Sequence, residues 1–195
     1  VGDFNNDGFD DLVIGAPGES IGSRDDAGLA MVAYGSSSGL ADPENFYQNS
    51  PGVKGGSETG DLFGSALAAG DINGDGYDDV VVGVPGEGIG SKNNAGAINV
   101  LYGSAEGLTA DGDQFFSQDS PGVRGGSEPG DLFGAALDVA DIDGDGYDDV
   151  VVGVPGEGIG SKNNAGLVHI LYGSASGVTA TADGLYHQNS SGWPG

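Results

Sequence analysis

The sequence predicts an all-β fold built from repeated small antiparallel sheets, the blades of a β-propeller. Three observations predict it. Residues 71–105 return at 141–175 with only five differences: Asn73/Asp143, Ala97/Leu167, Ile98/Val168, Asn99/His169 and Val100/Ile170. Apolar runs of five to seven residues, rich in Val, Ile and Tyr, are bounded by Gly, Pro, Asn and Asp, the mark of short strands. Nothing holds a 3.6-residue period long enough for a helix. Four such strands per unit make one four-stranded sheet, and sheets of this kind bury their faces on their neighbours.

The parts recur in a fixed order. An L-F-G-x-A-L strand comes first, at 62–67 and 132–137. An acidic loop follows, opened by Asp3, Asp71 and Asp141, so the period is 68 and then 70 residues. A valine-rich strand then ends in Gly-[Ala/Val]-Pro, and a long Gly-rich loop leads to a third strand ending in Tyr-Gly-Ser. A Q-[ND]-S-[PS]-G segment closes each unit, at 48–52, 118–122 and 188–192. The units span 1–61, 62–131 and 132–195, the first without its Phe-Gly strand. A propeller ring takes about four to eight blades. The expectation is therefore a partial propeller, or one completed by further copies of the chain through its open blade edges.

Composition narrows the function. The 195 residues include 41 glycines, 30 acids and 5 basic residues, for a net charge of −25. Nucleic acid, which needs clustered Lys and Arg, is excluded as a partner. No apolar run reaches the length of a membrane span, so no membrane insertion is expected. With no cysteine, disulfides and thiolate metal sites are excluded. Cations are the natural counterpart of so much negative charge.

The acidic loops fit a hard cation. At positions 1, 3, 5, 7 and 9 stand Asp3, Asn5, Asp7, Phe9 and Asp11; Asp71, Asn73, Asp75, Tyr77 and Asp79; Asp141, Asp143, Asp145, Tyr147 and Asp149. Oxygen side chains at alternate positions suit calcium, and the glycine at position 6 (Gly8, Gly76, Gly146) permits a sharp turn. The aromatic at position 7 would contribute its backbone carbonyl. An EF-hand needs a Glu at position 12, where Ile14, Val82 and Val152 stand. The acid at position 9 closes a shorter loop instead. The plainer reading is of solvated turns, in which Asp, Asn and Gly are favoured without any metal. Three loops in register favour three Ca²⁺ sites. Asp10, Asp78 and Asp148, at position 8, are expected to point away from the ion as solvated or turn-bonding groups.

The stretch LFGSALAAGDINGDGYDDVVVGVPG, with Phe63-Gly64 and Gly83-Val84-Pro85 flanking the acidic loop, resembles the FG-GAP repeat, the blade unit of integrin α-subunit propellers and of many bacterial extracellular proteins. The resemblance covers essentially the whole chain. It implies calcium held by the fifteen residues above, in the loop between the first two strands of a blade. It also implies an extracellular or cell-surface module for adhesion, protein–protein interaction or assembly, with a protein or glycan ligand. FG-GAP blades also accompany catalytic domains such as phospholipases, which makes an accessory domain of a secreted enzyme the competing expectation. A self-assembling structural subunit is a third.

No enzyme is expected from the chain itself. The G-E-S-I-G stretch at 18–22 matches a nucleophile motif, but the aligned copies carry Gly88 and Gly158 in place of Ser20. His169 and His187 read as packing or surface variants. Asn189-Ser190-Ser191 forms a glycosylation sequon, and Trp193 is a candidate anchor for a partner or a neighbouring blade.

Overall fold

The computed structural model describes residues 1–190; Trp193 and the last residue of the Asn189–Ser191 sequon lie outside the described residues. Eleven strands form three sheets, and among the described residues there is no helix. The first sheet has three strands, β1 (Leu12–Ala16), β2 (Leu29–Ala33) and β3 (Glu44–Phe46). The second has β4 (Leu67–Gly70), β5 (Asp79–Val84), β6 (Ala97–Tyr102) and β7 (Thr109–Phe116). The third has β8 (Ala136–Ala140), β9 (Asp149–Val154), β10 (Leu167–Tyr172) and β11 (Thr179–Tyr186). Each sheet is an antiparallel meander in chain order. The expected four-stranded blades are therefore present twice, and the first sheet has three strands.

The core lies between sheets. In β5 every residue is buried, because each face meets a different blade. Val80, Val82 and Val84 pack with Phe4, Val32 and Phe63 toward the first blade. Val81 packs with Ile98, Phe133 and Val152 toward the third. Phe4, Phe63 and Phe133 are the largest side chains of these contacts with no exposed surface. Burying such a ring contributes about 2–3 kcal/mol.

One sequence expectation is corrected. The L-F-G residues do not start the first strand, which begins only at Leu67 or Ala136. Leu62 and Leu132 sit at φ 61° and 60°, so the chain turns there and crosses onto the preceding blade. Phe63 bridges Gly28 in parallel, and Phe133 bridges Gly96. The N–H groups of Leu62 and Phe63 donate to the carbonyls of Asp26 and Ala27, and those of Leu132 and Phe133 to Asn94 and Ala95.

Candidate metal centres

The acidic loops lie just ahead of β1, β5 and β9 and fold in the same way. Position 6 carries φ of 86°, 91° and 92° at Gly8, Gly76 and Gly146, a left-handed turn that glycine adopts without steric cost. The position 1 carboxylate accepts from the N–H groups of positions 5 and 6: Asp7 and Gly8 donate to Asp3 at 3.0 and 2.9 Å. Asp75 and Gly76 donate to Asp71 at the same distances, and Asp145 and Gly146 to Asp141 at 3.1 Å each. Position 3 accepts from the N–H of position 5, at Asn5, Asn73 and Asp143. Position 5 accepts from the N–H of position 7, so Asp7, Asp75 and Asp145 hold the backbones of Phe9, Tyr77 and Tyr147. Positions 1, 3, 5 and 7 are thus brought together by one backbone pattern in all three loops.

Position 9 sits apart from that pattern. Asp11, Asp79 and Asp149 are fully buried. One oxygen of each accepts from the N–H at position 2, from Phe4, Ile72 and Ile142 at 2.9, 3.1 and 3.0 Å. The other accepts from the glycine after the third strand, Gly35, Gly103 and Gly173, at 2.7, 2.9 and 2.9 Å. This carboxylate ties the loop to the end of the adjacent antiparallel strand, at the same edge of its own sheet. Burial pushes the Asp79 carboxyl up to about 7, against the two backbone donors and with the nearby Asp75 and Asp71 charges adding to the rise. Asp11 is raised by the same cause.

In the third loop, carboxylate oxygens of Asp141, Asp143 and Asp149 lie within 4.8 Å of one another. Asp143 is raised, by desolvation and then by the charges of Asp145, Asp149 and Asp141. The first two loops have an amide at position 3, and Asn5 and Asn73 donate to Asp7 and Asp75 at 3.3 and 2.9 Å. Among the described residues, the ion pairs lie elsewhere, at Lys92–Asp119 and Arg124–Asp183. The donor set is oxygen throughout and carries a net negative charge, which fits a hard divalent cation.

Sequence reasoning missed what position 8 does. Asp78 and Asp148 are not merely solvated. The Asp78 N–H donates to the Asp3 carbonyl at 3.2 Å, and its carboxylate accepts from the Asp3 N–H at 2.9 Å. Asp148 clasps Asp71 in the same way, at 3.1 and 3.0 Å. Position 8 of one blade therefore holds position 1 of the preceding blade. Tyr147 leans the same way, its ring covering Gly74. The signal in the sequence was the recurrence of Asp at that position.

A second repeated contact joins the blades away from the acidic loops. The buried Gln48 amide donates to Glu87, and Gln118 donates to Glu157 at 2.6 Å. Burial pushes Glu87 up to about 7, with the Gln48 hydrogen bond opposing the rise. His169 is a packing residue. It is fully buried, its Nδ1 lies 2.7 Å from Asp183, and its ring stands 5.6 Å from that of Phe133. Ser20 sits exposed in a loop after β1, without the strand–turn–helix setting of a nucleophile.

The FG-GAP repeat family matches residues 1–30, 63–101 and 133–171. Phosphatidylinositol-glycan-specific phospholipase D of Mus musculus is 36% identical over 173 residues, which cover 87% of this chain and 19% of that protein. Integrin alpha-PS5 of Drosophila melanogaster is 35% identical over 156 residues, covering 79% and 14%. Integrin alpha pat-2 of Caenorhabditis briggsae is 31% identical over 195 residues, covering 91% and 14%. The chain spans a fifth or less of the length of these relatives.

Proposed function

The chain belongs to the FG-GAP repeat family, and we propose that it is a calcium-stabilised extracellular propeller module that serves adhesion, protein–protein interaction or assembly. The carrying observation is the repeated oxygen cradle, three times in one register, with three carboxylates gathered in the third loop. Asp3, Asn5, Asp7, Phe9 and Asp11 would hold one Ca²⁺; Asp71, Asn73, Asp75, Tyr77 and Asp79 a second; Asp141, Asp143, Asp145, Tyr147 and Asp149 a third. Bound calcium supplies the positive charge that offsets the mutual repulsion of these carboxylates, and its binding energy adds to folding energy. The chain's own residues do the rest. Positions 1, 3 and 5 orient the loop backbone, and position 9 fixes it to the sheet.

The integrin alpha and phospholipase relatives are extracellular or surface proteins, which supports the extracellular setting. Millimolar calcium there suits weak extracellular sites. A protein or glycan ligand would be read by the variable loops. The phospholipase D relatives favour a second reading, in which the module accompanies the catalytic part of a larger secreted enzyme.

Thermal unfolding in millimolar Ca²⁺, in Mg²⁺ and in chelator tests the proposal. Three sites, each at ten times its Kd, contribute about 4 kcal/mol together. That raises the midpoint by roughly 10 °C in a chain of this size. A midpoint equal in calcium and chelator would sink the calcium sites.

A further inference from the structure

The second and third acidic loops differ at a single position, Asn73 against Asp143. Asn73 is followed by Gly74, and this is the one Asn-Gly pair in the sequence. A backbone nitrogen attacks the preceding asparagine side chain most readily when it belongs to glycine, because no Cβ crowds the ring that forms. Gly74 is glycine for a reason that lies on the next blade. A Cβ there would lie 2.7 and 3.0 Å from ring atoms of Tyr147. Its φ of 71° is not the reason, since Asn6 takes φ 52° at the same place in the first loop. The contact between blades therefore sets an unhindered residue after Asn73.

The Asn73 carboxamide is held at both ends. Its Oδ1 accepts from the Asp75 N–H at 2.9 Å, which stabilises negative charge developing on that oxygen. Its Nδ2 donates to the Asp75 carboxylate at 2.9 Å, so the leaving nitrogen has a polar partner. The attacking group is left free. The Gly74 N–H makes no hydrogen bond among the described residues, whereas Gly144 donates its own to Asp141 at 2.7 Å. Asn73 is half-buried, and Gly74 and Asp75 are exposed, so water reaches the site. Asn5 makes the same two contacts with Asp7, at 3.0 and 3.3 Å, but is followed by Asn6. It is the internal control.

We propose that Asn73 is a self-modification site, deamidated to an acid through attack by the Gly74 nitrogen. That nitrogen gives its proton to solvent and bonds to Cγ of Asn73. The Cγ–Nδ2 bond breaks, and Nδ2 takes a proton from water and leaves as ammonia. The cyclic imide then takes up one water. Opening at the side-chain carbonyl leaves an aspartate at position 73, and opening at the backbone carbonyl leaves an isoaspartate. The net change is amide plus water to acid plus ammonia. The aspartyl product has the sequence of the third loop, where Asp143 still accepts from the position 5 N–H, at 3.1 Å. There it brings a carboxylate oxygen within 4.8 Å of those of Asp141 and Asp149. Deamidation thus adds a charged oxygen ligand to the second loop, and calcium affinity follows ligand charge. That consequence rests on the calcium reading above; the deamidation does not.

The test ages the whole chain in mildly alkaline buffer with chelator, well below its unfolding midpoint. Digestion then follows the mass and isoaspartate content of each asparagine-bearing peptide. Position 73 is expected to gain the mass of OH over NH2 at least tenfold faster than Asn5 or Asn93, with ammonia released in step. A synthetic peptide of residues 71–79 sets the unstructured rate, which the folded chain should match or exceed. Equal rates at Asn73 and Asn5, or a folded rate tenfold below the peptide's, overturn the proposal. Asn6→Gly gives the first loop its own Asn-Gly pair and should raise the rate at Asn5 to that of Asn73; no rise overturns the role of Gly74. Asn73→Asp should bind calcium about tenfold tighter than freshly prepared parent chain. An unchanged affinity beside a clear mass gain overturns the calcium reading of this loop and leaves the deamidation standing.

Discussion

Residues 71–105 and 141–175 are nearly one sequence in two surroundings. Among the described residues, the second blade has a neighbour on both faces and the third on one. Ile72 is fully buried, whereas Ile142, the same residue at the same loop position, is 46% exposed. Ile98 is fully buried, and Val168 is 36% exposed. Asp71 is half-buried under the clasp of Asp148, whereas Asp141 has no such clasp among the described residues and is exposed. The sheets themselves keep the same register, with Val81 opposite Val100 and Val151 opposite Ile170. The difference shows that hydrogen bonding within a sheet builds each blade, and that burial is supplied by the neighbour. Nearest-neighbour stability of this kind is the rule in repeat arrays.

The largest test of that comparison substitutes the paired isoleucines. Ile72→Ala should cost about 2–5 kcal/mol, as for any large-to-small change in a packed core. Ile142→Ala should stay within about 1 kcal/mol, because its side chain is already half in water. Urea unfolding midpoints compare the two. Equal losses would mean that the third blade is as covered as the second.

The second test uses pH, in chelator so that cations do not mask the effect. Glu87 titrates at about 7 when folded, above its ordinary value of 4.5. The folded chain therefore keeps a proton that the unfolded chain releases. The associated stability is complete below pH 4.5 and is lost as pH rises through 7, on the order of 3 kcal/mol by pH 8. Asp79 and Asp113, raised to about 7 and about 6 by burial, act with the same sign. Glu87→Gln should flatten the fall in midpoint between pH 4.5 and 8. Glu157→Gln, at the interface with the third blade, should flatten it less. A midpoint that rises over this range would contradict the assignment.

The third test reverses the sign between blades. Gly83→Ala forces a Cβ onto the Gly134 carbonyl and should cost about 1–3 kcal/mol, the usual penalty of overpacking. At Gly153 the nearest atom to the added methyl is the Ala136 Cβ, at 3.1 Å, and the gain in strand propensity offsets that contact. Gly153→Ala should therefore be close to neutral in thermal unfolding. A loss as large as at Gly83 would show that the third blade's outer face is already occupied.

How much of this was legible follows from the same contrast. The blades were readable because the repeat, the valine runs and the turn residues all act over a few neighbouring residues. The loop oxygens were readable because they alternate around a glycine. The path of Leu62–Gly64 was not, since its partners are Asp26 and Ala27 on another blade. Nor was the role of Asp78, whose partner Asp3 lies 75 residues away. From the sequence, an Asp in an acidic turn looks the same whether it faces water or a neighbouring blade. The burial of Glu87 against Gln48 was hidden for the same reason.

Position 8 gives the smallest and most specific contrast. Asp78 and Asp148 each exchange two hydrogen bonds with the preceding loop. Asp10 holds the same place on the first blade, is exposed, and has no preceding loop among residues 1–190 to clasp. Replacing Asp78 or Asp148 by Ala keeps the backbone bond but leaves the N–H of Asp3 or Asp71 without its acceptor. That should cost about 1–2 kcal/mol. Asp10→Ala should fall within about 0.5 kcal/mol of the parent chain. Hydrogen exchange separates this from a general loss of stability. The amides of Asp3 and Asp71 should lose protection in the matching variant, while those of β6 and β10 exchange as before. If Asp10→Ala costs as much as the other two, the carboxylate at position 8 stabilises its own loop, and the clasp between blades is incidental.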